Sequence, residues 1–257
     1  MSTTTLTNTA EEAPVDLKLL SESEKKELIN AETTSITSET TLGATSLSFT
    51  PAKTLLISTR GSPVLRLPTP LRELEIPIYN PDNSIAYLST RAKRSSGNCV
   101  LTDAEGKELV ATTYFFGPGK DPVLHLSDGV DGKNEIKTIS RWTSRSQKFV
   151  LPDGRTFQWD YKREVGFGAQ GKKGTALVLT VEGKKIAALI RNDETRTPGS
   201  KSCSAGNGGE LVLSEEVGKK NGLSEHIVIA TCLLMLKKEV DRRRTVQIMM
   251  ITGAFAS

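Results

Sequence analysis

From residue 54 to residue 213 the chain runs in short apolar or alternating stretches separated by turn residues. Thr54–Thr59 reads as a strand. Leu74–Tyr79 alternates polar and apolar positions, and Pro77 assigns it to a sheet edge or a bulge, because proline has no N–H for a ladder. The turn Asn80-Pro81-Asp82-Asn83 joins it to Ser84–Ser89 as a hairpin. Cys99–Thr102 and Glu108–Phe115 flank Asp103-Ala104-Glu105-Gly106, a second hairpin signal. Pro122–Ser127 is a shorter candidate. Glu135–Ile139 and Gln147–Leu151 follow, and Pro152-Asp153-Gly154 turns the chain into Arg155–Tyr161. Thr175–Val181 and Ile186–Ile190 lie on either side of Glu182-Gly183-Lys184-Lys185, and Glu210–Leu213 is a further strand. Roughly ten to thirteen short strands at this spacing predict an antiparallel sandwich or barrel.

One segment departs from the pattern. Ser224–Arg244 contains neither Gly nor Pro, and from Ile227 to Leu236 apolar residues occupy every face, interrupted by Thr231. Ser224 suits an N-cap, Glu225 the first turn, and Arg242, Arg243 and Arg244 the last turn, where cations complement the helix dipole. The reading is a helix over residues 224–243. A helix apolar all round is buried all round, and an economical arrangement places it inside a closed barrel, which also removes the sheet edges. The fold class expected is therefore mainly β, an antiparallel barrel enclosing one hydrophobic C-terminal helix. Val246–Ile251 reads as a last strand. A membrane-spanning helix needs about 20 apolar residues, so the run to Leu236 is a core segment and no transmembrane segment is expected.

Residues 1–50 differ in kind. They hold 19 Ser or Thr and no aromatic residue before Phe49. Such a stretch buries too little to offset its ordering entropy, and the expected domains are a disordered, acidic, Ser/Thr-rich tail over 1–50 and a barrel over 51–257. One local exception is Ser21-Glu22-Ser23-Glu24, a capping box that opens a short helix over residues 22–31. The tail carries net −5 within a chain of net +4, which leaves +9 on the remainder. An acidic tail on a basic body points to an anionic partner, or to a tail that shields the body. Its hydroxyls are also available for phosphorylation, which would deepen its charge. Three widely spaced cysteines, Cys99, Cys203 and Cys232, exclude a disulfide scaffold and a CxxC metal site. The N-terminus lacks a basic and apolar secretory leader, so a cytoplasmic location is expected, with peripheral attachment at the inner membrane face.

The hairpin Phe149–Trp159, the strand Gly208-Gly209-Glu210-Leu211-Val212-Leu213 and the segment His226–Glu239 ending in Arg242-Arg243-Arg244 resemble the tubby C-terminal-like superfamily. That group includes tubby proteins, phospholipid scramblases and plant LURP-one-related proteins, and the chain looks closest to fungal members. The resemblance, over roughly residues 52–252, implies a twelve-stranded barrel around a hydrophobic helix. It also implies association with membrane lipids, of the phosphoinositide-binding kind in tubby proteins.

No motif identifies a reaction. Gly166-Phe167-Gly168-Ala169-Gln170-Gly171 matches a dinucleotide-binding fingerprint, but a strand follows where the phosphate-binding helix must start. Lys173 stands where a Walker A loop needs Ser or Thr. Asp128 and Asp131 lie in a calcium-loop fragment without its distal Glu, and read as a turn. His226 falls in the first turn of the predicted helix, His125 in a short strand, and Cys203 in a loop beside Lys201. No catalytic residue, metal ligand or cofactor is expected. The remaining candidates are basic clusters: Arg91, Lys93 and Arg94; Lys162 and Arg163; Lys172 and Lys173; Lys184 and Lys185; Lys237 and Lys238; and Arg242–Arg244. Each cation near an anionic leaflet contributes about 1 kcal/mol. Arg91, Lys93, Arg94, Lys162, Arg163, Lys184 and Lys185 are the headgroup candidates. Nucleic acid is not expected, because aromatics for base stacking are not interleaved with the basic residues. The expectation is a non-enzymatic protein that binds anionic phospholipid headgroups. The alternative is a barrel that binds other proteins and neither lipid nor substrate.

Overall fold

The computed structural model describes residues 15–33, 49–63, 73–93, 96–127, 134–219 and 222–252. Its strands are β1 (Pro51–Ile57), β2 (Ser62–Pro63), β3 (Glu75–Tyr79), β4 (Ile85–Thr90), β5 (Cys99–Asp103), β6 (Glu108–Thr113) and β7 (Val123–Leu126). They continue with β8 (Glu135–Thr138), β9 (Gln147–Val150), β10 (Thr156–Val165), β11 (Lys173–Val181), β12 (Lys184–Ile190), β13 (Cys203–Ala205) and β14 (Gly209–Ser214). The helices are α1 (Glu22–Thr33) and α2 (Glu225–Thr252). All strands except β2 and β13 form one closed antiparallel barrel, in the order β1-β14-β12-β11-β10-β9-β8-β7-β6-β5-β4-β3. The barrel closes at β1–β3 through only two residue pairs, Leu56 with Tyr79 and Ile57 with Ile78. Pro77 sits beside this seam, where a missing N–H is tolerated. β2 and β13 pair as a separate two-stranded ribbon.

The antiparallel registers define two ends. The near end holds the start of β1, the end of β14 and the β3–β4, β5–β6, β9–β10 and β11–β12 turns. The far end holds the β4–β5, β6–β7, β8–β9, β10–β11 and β12–β14 connections. α2 enters at the near end, where Glu225 accepts from Lys53 Nζ (2.7 Å) and from the Tyr87 hydroxyl (3.0 Å).

Alternation along each strand sends one row inward. Leu55, Ile57, Ile78, Leu101, Val110, Leu124, Ile136, Phe149, Trp159, Leu177, Leu189 and Leu211 all meet α2 or one another in a single core. Every residue of α2 from Ile227 to Arg242 is buried. Thr231, the polar residue in the apolar run, has a function here: its hydroxyl oxygen accepts the Trp159 indole N–H at 3.0 Å, and it lies 2.8 Å from the Ile227 carbonyl. This bond joins wall to helix inside the core and fixes the depth of α2.

Strands β11, β12 and β14 are buried on both faces, which explains why Ala176–Leu179, Ile186–Ile190 and Leu211–Leu213 read as unbroken apolar runs. Their outer face carries Ala176, Val178, Ala188, Ile190 and Val212 in a second cluster with Phe167 and Phe49. The glycines of residues 166–171 fold Phe167 onto that face. A Cβ at Gly174 would lie 2.3 Å from the Gly168 nitrogen, so the loop can lie against β11 only because both positions are glycine.

Two expectations need correction. Val246–Ile251 is not a strand; it continues α2 to Thr252. With 28 residues α2 is about 42 Å long, roughly twice the rise of a six-residue strand, so it leaves the far end and projects beyond the barrel. There Val246 and Met249 are buried against α1. The helix expected over 22–31 is present as α1, but the disorder expected of the tail does not hold over residues 15–33, which form a short 3-10 turn and α1, docked on the far end. Residues 1–14 and 34–48 lie outside the described residues.

Two outcomes test this account. Leu234→Asp places an unpaired charge inside the barrel and should unfold the domain; wild-type thermal stability would put α2 on the surface. Thr231→Val keeps the shape but leaves the Trp159 N–H without a partner, and should lower the unfolding free energy by about 1–3 kcal/mol in denaturant titration.

Candidate functional site

α2 leaves the barrel through a collar of loops, and its charged segment is buried there. Lys237 pairs with Asp241 at 2.6 Å. Glu239 accepts from Arg191 Nη1 at 2.8 Å and from the Gly206 N–H at 2.8 Å. Burial works against the Glu239 charge, but Arg191 and these hydrogen bonds hold its pKa below the usual carboxylate range. Arg145 and Arg191 lie over the Tyr161 ring at 4.7 and 5.7 Å. Lys238 donates to the Gln147 side chain and to the Arg141 carbonyl. Burial, reinforced by Arg242 and only partly offset by Asp121, lowers the Lys238 pKa from 10.5 to about 7. Lys237, Lys238 and Arg242 are therefore interior groups and not the surface clusters that the sequence suggests. The reason is the length of α2, which carries them out of the bore but into the loop collar.

α1 closes the collar from outside. Ser21 caps it reciprocally: its hydroxyl donates to Glu24 Oε2 at 2.8 Å, and the Glu24 N–H donates to Ser21 Oγ at 3.3 Å. Glu24 Oε1 accepts the Trp142 indole N–H at 3.2 Å. Hydrogen bonds from Ser21 chiefly, with that from Trp142, lower the Glu24 pKa. Glu27 accepts from Arg141 Nη1 at 2.9 Å and from Thr143 Oγ1 at 2.8 Å. Glu32 accepts from Arg242 Nε at 3.1 Å and lies 3.7 Å from Arg243 Nη1. Leu20 and Leu28 are buried beside Val246 and Met249. Arg141, Trp142 and Thr143 carry no motif, and the sequence reading missed them. The available signal was the placement of Glu24, Glu27, Leu28 and Glu32 along one helix.

The headgroup candidates do not converge. Arg91 and Lys93 follow β4 at the far end, and Arg94 lies outside the described residues. Lys162 and Arg163 lie within β10, toward the far end but across the barrel from β4. They are strand residues and not turn residues. Lys184 and Lys185 open β12 at the near end. Lys185 is paired with Glu164, and Lys184 lies 4.0 Å from Glu216. Lys184 also lines a near-end cleft of about 350 Å³ with an apolar floor of Leu151, Phe157, Ile186 and Leu223, and with Arg155, Glu182 and Glu216 at its rim.

The two ends differ in charge. Among the described residues the near end carries Asp82, Asp103, Glu105, Glu108, Glu135, Asp153, Glu182, Glu215, Glu216 and Glu225, against Lys53, Lys107, Arg155, Lys184, Lys185 and Lys219. The barrel's far end carries Arg60, Arg91, Lys93, Lys120, Arg163, Lys172, Lys173 and Lys201, against Glu73, Glu75, Asp121, Glu164, Asp193 and Glu194, with the acids of α1 lying over it. Exposed apolar side chains show the same polarity. Leu74, Ile139 and Val165 border the far end, and Met250 and Ile251 form the projecting tip of α2, whereas Ile85 stands at the near end. Val165 is paired directly with Lys173, and the Leu74 carbonyl accepts the Arg91 N–H at 2.8 Å.

The other candidates are dispersed. His125, on β7, is 3.7 Å from Glu135 and 3.3 Å from Thr113 Oγ1. Cys203 belongs to the β13 ribbon, not to a free loop as expected, and Cys232 is in the core with its thiol pKa raised by burial to about 12. Asp128 and Asp131 lie outside the described residues. Among the described residues no helix is long and apolar enough to cross a membrane.

No family model matches the chain, and no curated protein matches it. A solved structure similar to it is the X-ray structure of a protein from Arabidopsis thaliana, at 11% identity and a TM-score of 0.40, covering 74% of this chain and 93% of that one.

The Lys238 site makes a pH prediction. Between about pH 7 and 10.5 the unfolded chain holds a proton that the folded chain has released, so this group makes stability rise with pH across that window; below pH 7 both states are charged and the burial penalty is undiminished. Lys238→Met should remove up to about 1.4 kcal/mol per pH unit from the slope of unfolding free energy against pH. Superimposable slopes for wild type and variant would refute the assignment.

Proposed function

We propose that the protein is a tubby-like, non-catalytic binding barrel that attaches peripherally to a membrane surface through its far end, recognising anionic phospholipid headgroups of the phosphoinositide type. The observation that supports this reading is the polarity along the barrel axis. On the barrel itself cations and most exposed apolar side chains gather at one end, and carboxylates predominate at the other. Each cation close to an anionic leaflet adds about 1 kcal/mol, and the effect is confined to a Debye length of about 8 Å at physiological salt. A barrel with one basic end is therefore attracted and oriented, because the acidic end is repelled. Apolar groups such as Val165 beside Lys173 and Ile139 beside Ser140 suit the interfacial layer below the headgroups. Within this reading Arg91, Lys93 and Arg163 are contact residues, whereas Lys184, beside Glu216 at the acidic end, and Lys185, taken up by its pair with Glu164, are not. The resemblance of the chain to the tubby C-terminal-like superfamily points the same way, and the location implied is the inner face of a cellular membrane.

Co-sedimentation with phosphatidylcholine vesicles, with and without phosphatidylinositol bisphosphate, tests the proposal. Binding should require the anionic lipid and fade with added salt. Joint charge reversal of Arg163, Lys172 and Lys173 to Glu should weaken it roughly tenfold or more, and Lys184→Glu should leave it unchanged. Equal loss from both variants would contradict a far-end surface, and absence of binding would leave the barrel to protein partners.

A further inference from the structure

We infer that α1 is a removable internal ligand of the far end, whose carboxylates occupy donors that an anionic phosphate-bearing surface would otherwise take. This rests on the reading above and adds a regulatory step to it: docking of α1 and attachment to the membrane exclude each other.

The berth is built for anions. Arg141, Trp142, Thr143 and Arg242 each direct a donor at a carboxylate of α1, over 2.8–3.2 Å. An Arg guanidinium, an indole N–H and a hydroxyl converging on oxygens is the donor set that also serves phosphate. A further donor remains at the same place. Arg243, whose Nη1 lies 3.7 Å from Glu32, has its Nε buried without a hydrogen-bond partner among the described residues. The α1 carboxylates thus satisfy part of a cationic site and leave part of it open.

The attachment of α1 is limited in strength. Among the described residues Leu20 and Leu28 are buried from this segment beside Val246 and Met249, with Val15 and Leu17 partly buried there, whereas α2 is surrounded by the whole barrel interior. A 12-residue helix is marginal alone, so α1 depends on its cap at Ser21 and on its berth to remain helical. Its acids add negative charge at the end that would approach an anionic leaflet. Removing α1 frees Arg141, which is already exposed, and Arg243 of their carboxylate partners, exposes Arg242, and uncovers the apolar flank at Val246 and Met249.

The protein contains a reporter of this event. It has two tryptophans: Trp159 is fully buried in the core, and Trp142 is bonded to α1. The test uses the full chain and a Leu28→Asn variant, which loosens α1 at constant net charge, with vesicles of phosphatidylcholine and phosphatidylinositol bisphosphate. A second variant, Thr143→Val, removes one donor to Glu27 and leaves the apolar anchor in place. The expected result is a red-shifted Trp142 emission in Leu28→Asn, binding to vesicles roughly tenfold tighter than wild type because the competent state is already populated, and the same red shift when wild type binds. Thr143→Val should fall between the two. If the variants bind as wild type does and Trp142 of vesicle-bound wild type does not shift, the inference is overturned while the membrane reading stands. If no form binds vesicles although Trp142 is exposed in Leu28→Asn, both are overturned.

Discussion

The mutual burial of α2 and the inward row of the barrel is the constraint on which the rest of the molecule depends. A barrel of eight strands is filled by its own side chains, but twelve strands leave a bore that needs more material. α2 supplies it, and only a helix without a polar face can do so. Neither half is viable alone. The Trp159–Thr231 hydrogen bond adds position to a contact that is otherwise non-directional. Closure is also non-local in sequence: β1 pairs with β14, and α2 enters only after β14 has been made. Folding therefore depends on contacts between the two ends of the domain, which slows it relative to locally connected folds.

A helix longer than the bore has consequences at the far end. Its charged segment must leave the apolar core, and it is satisfied pair by pair: Lys237 by Asp241 one turn along α2 itself, Glu239 by Arg191, and Arg242 by Ser144 and by Glu32 of α1. Such buried pairs are weak sources of net stability, since desolvation offsets most of their attraction. They do fix geometry. They hold the loop containing Arg141, Trp142 and Thr143 against α2, and that loop receives α1. The asymmetry of the molecule thus follows from the helix: the near end is closed simply by short acidic turns, and the far end is an elaborated basic surface with an acidic helix upon it.

Much of the fold was legible because its determinants are periodic. The strands from Thr54 to Leu213 announced themselves by alternation and by turns such as Asn80–Asn83 and Pro152–Gly154, and Ile227–Leu236 by the absence of any polar face. Val246–Ile251 misled because Val-Gln-Ile-Met-Met-Ile is short, apolar and β-tolerant, and nothing local says that α2 continues through Arg244 and Thr245. The burial of Lys238, Glu239 and Arg242 was illegible for a different reason: their partners Gln147, Arg191, Ser144 and Glu32 are remote in sequence. Charge polarity was hidden likewise, since which turn lies at which end follows from the strand register and not from the sequence of any one turn. Ser21–Glu24 signalled the start of α1 correctly, but its berth comes from residues 141–143 and 242–249, which no pattern links to it.

The account's central claim is that the far end faces the anionic surface and exchanges α1 for it. Hydrogen exchange of the full chain, with and without vesicles containing phosphatidylinositol bisphosphate, tests this most directly. The account predicts new protection in the far-end connections around residues 91–93, 139–146 and 166–172, with faster exchange in α1 and no change in the near-end turns. Protection of the near-end turns around residues 103–107 and 182–183, or an α1 that becomes more protected on binding, would contradict it.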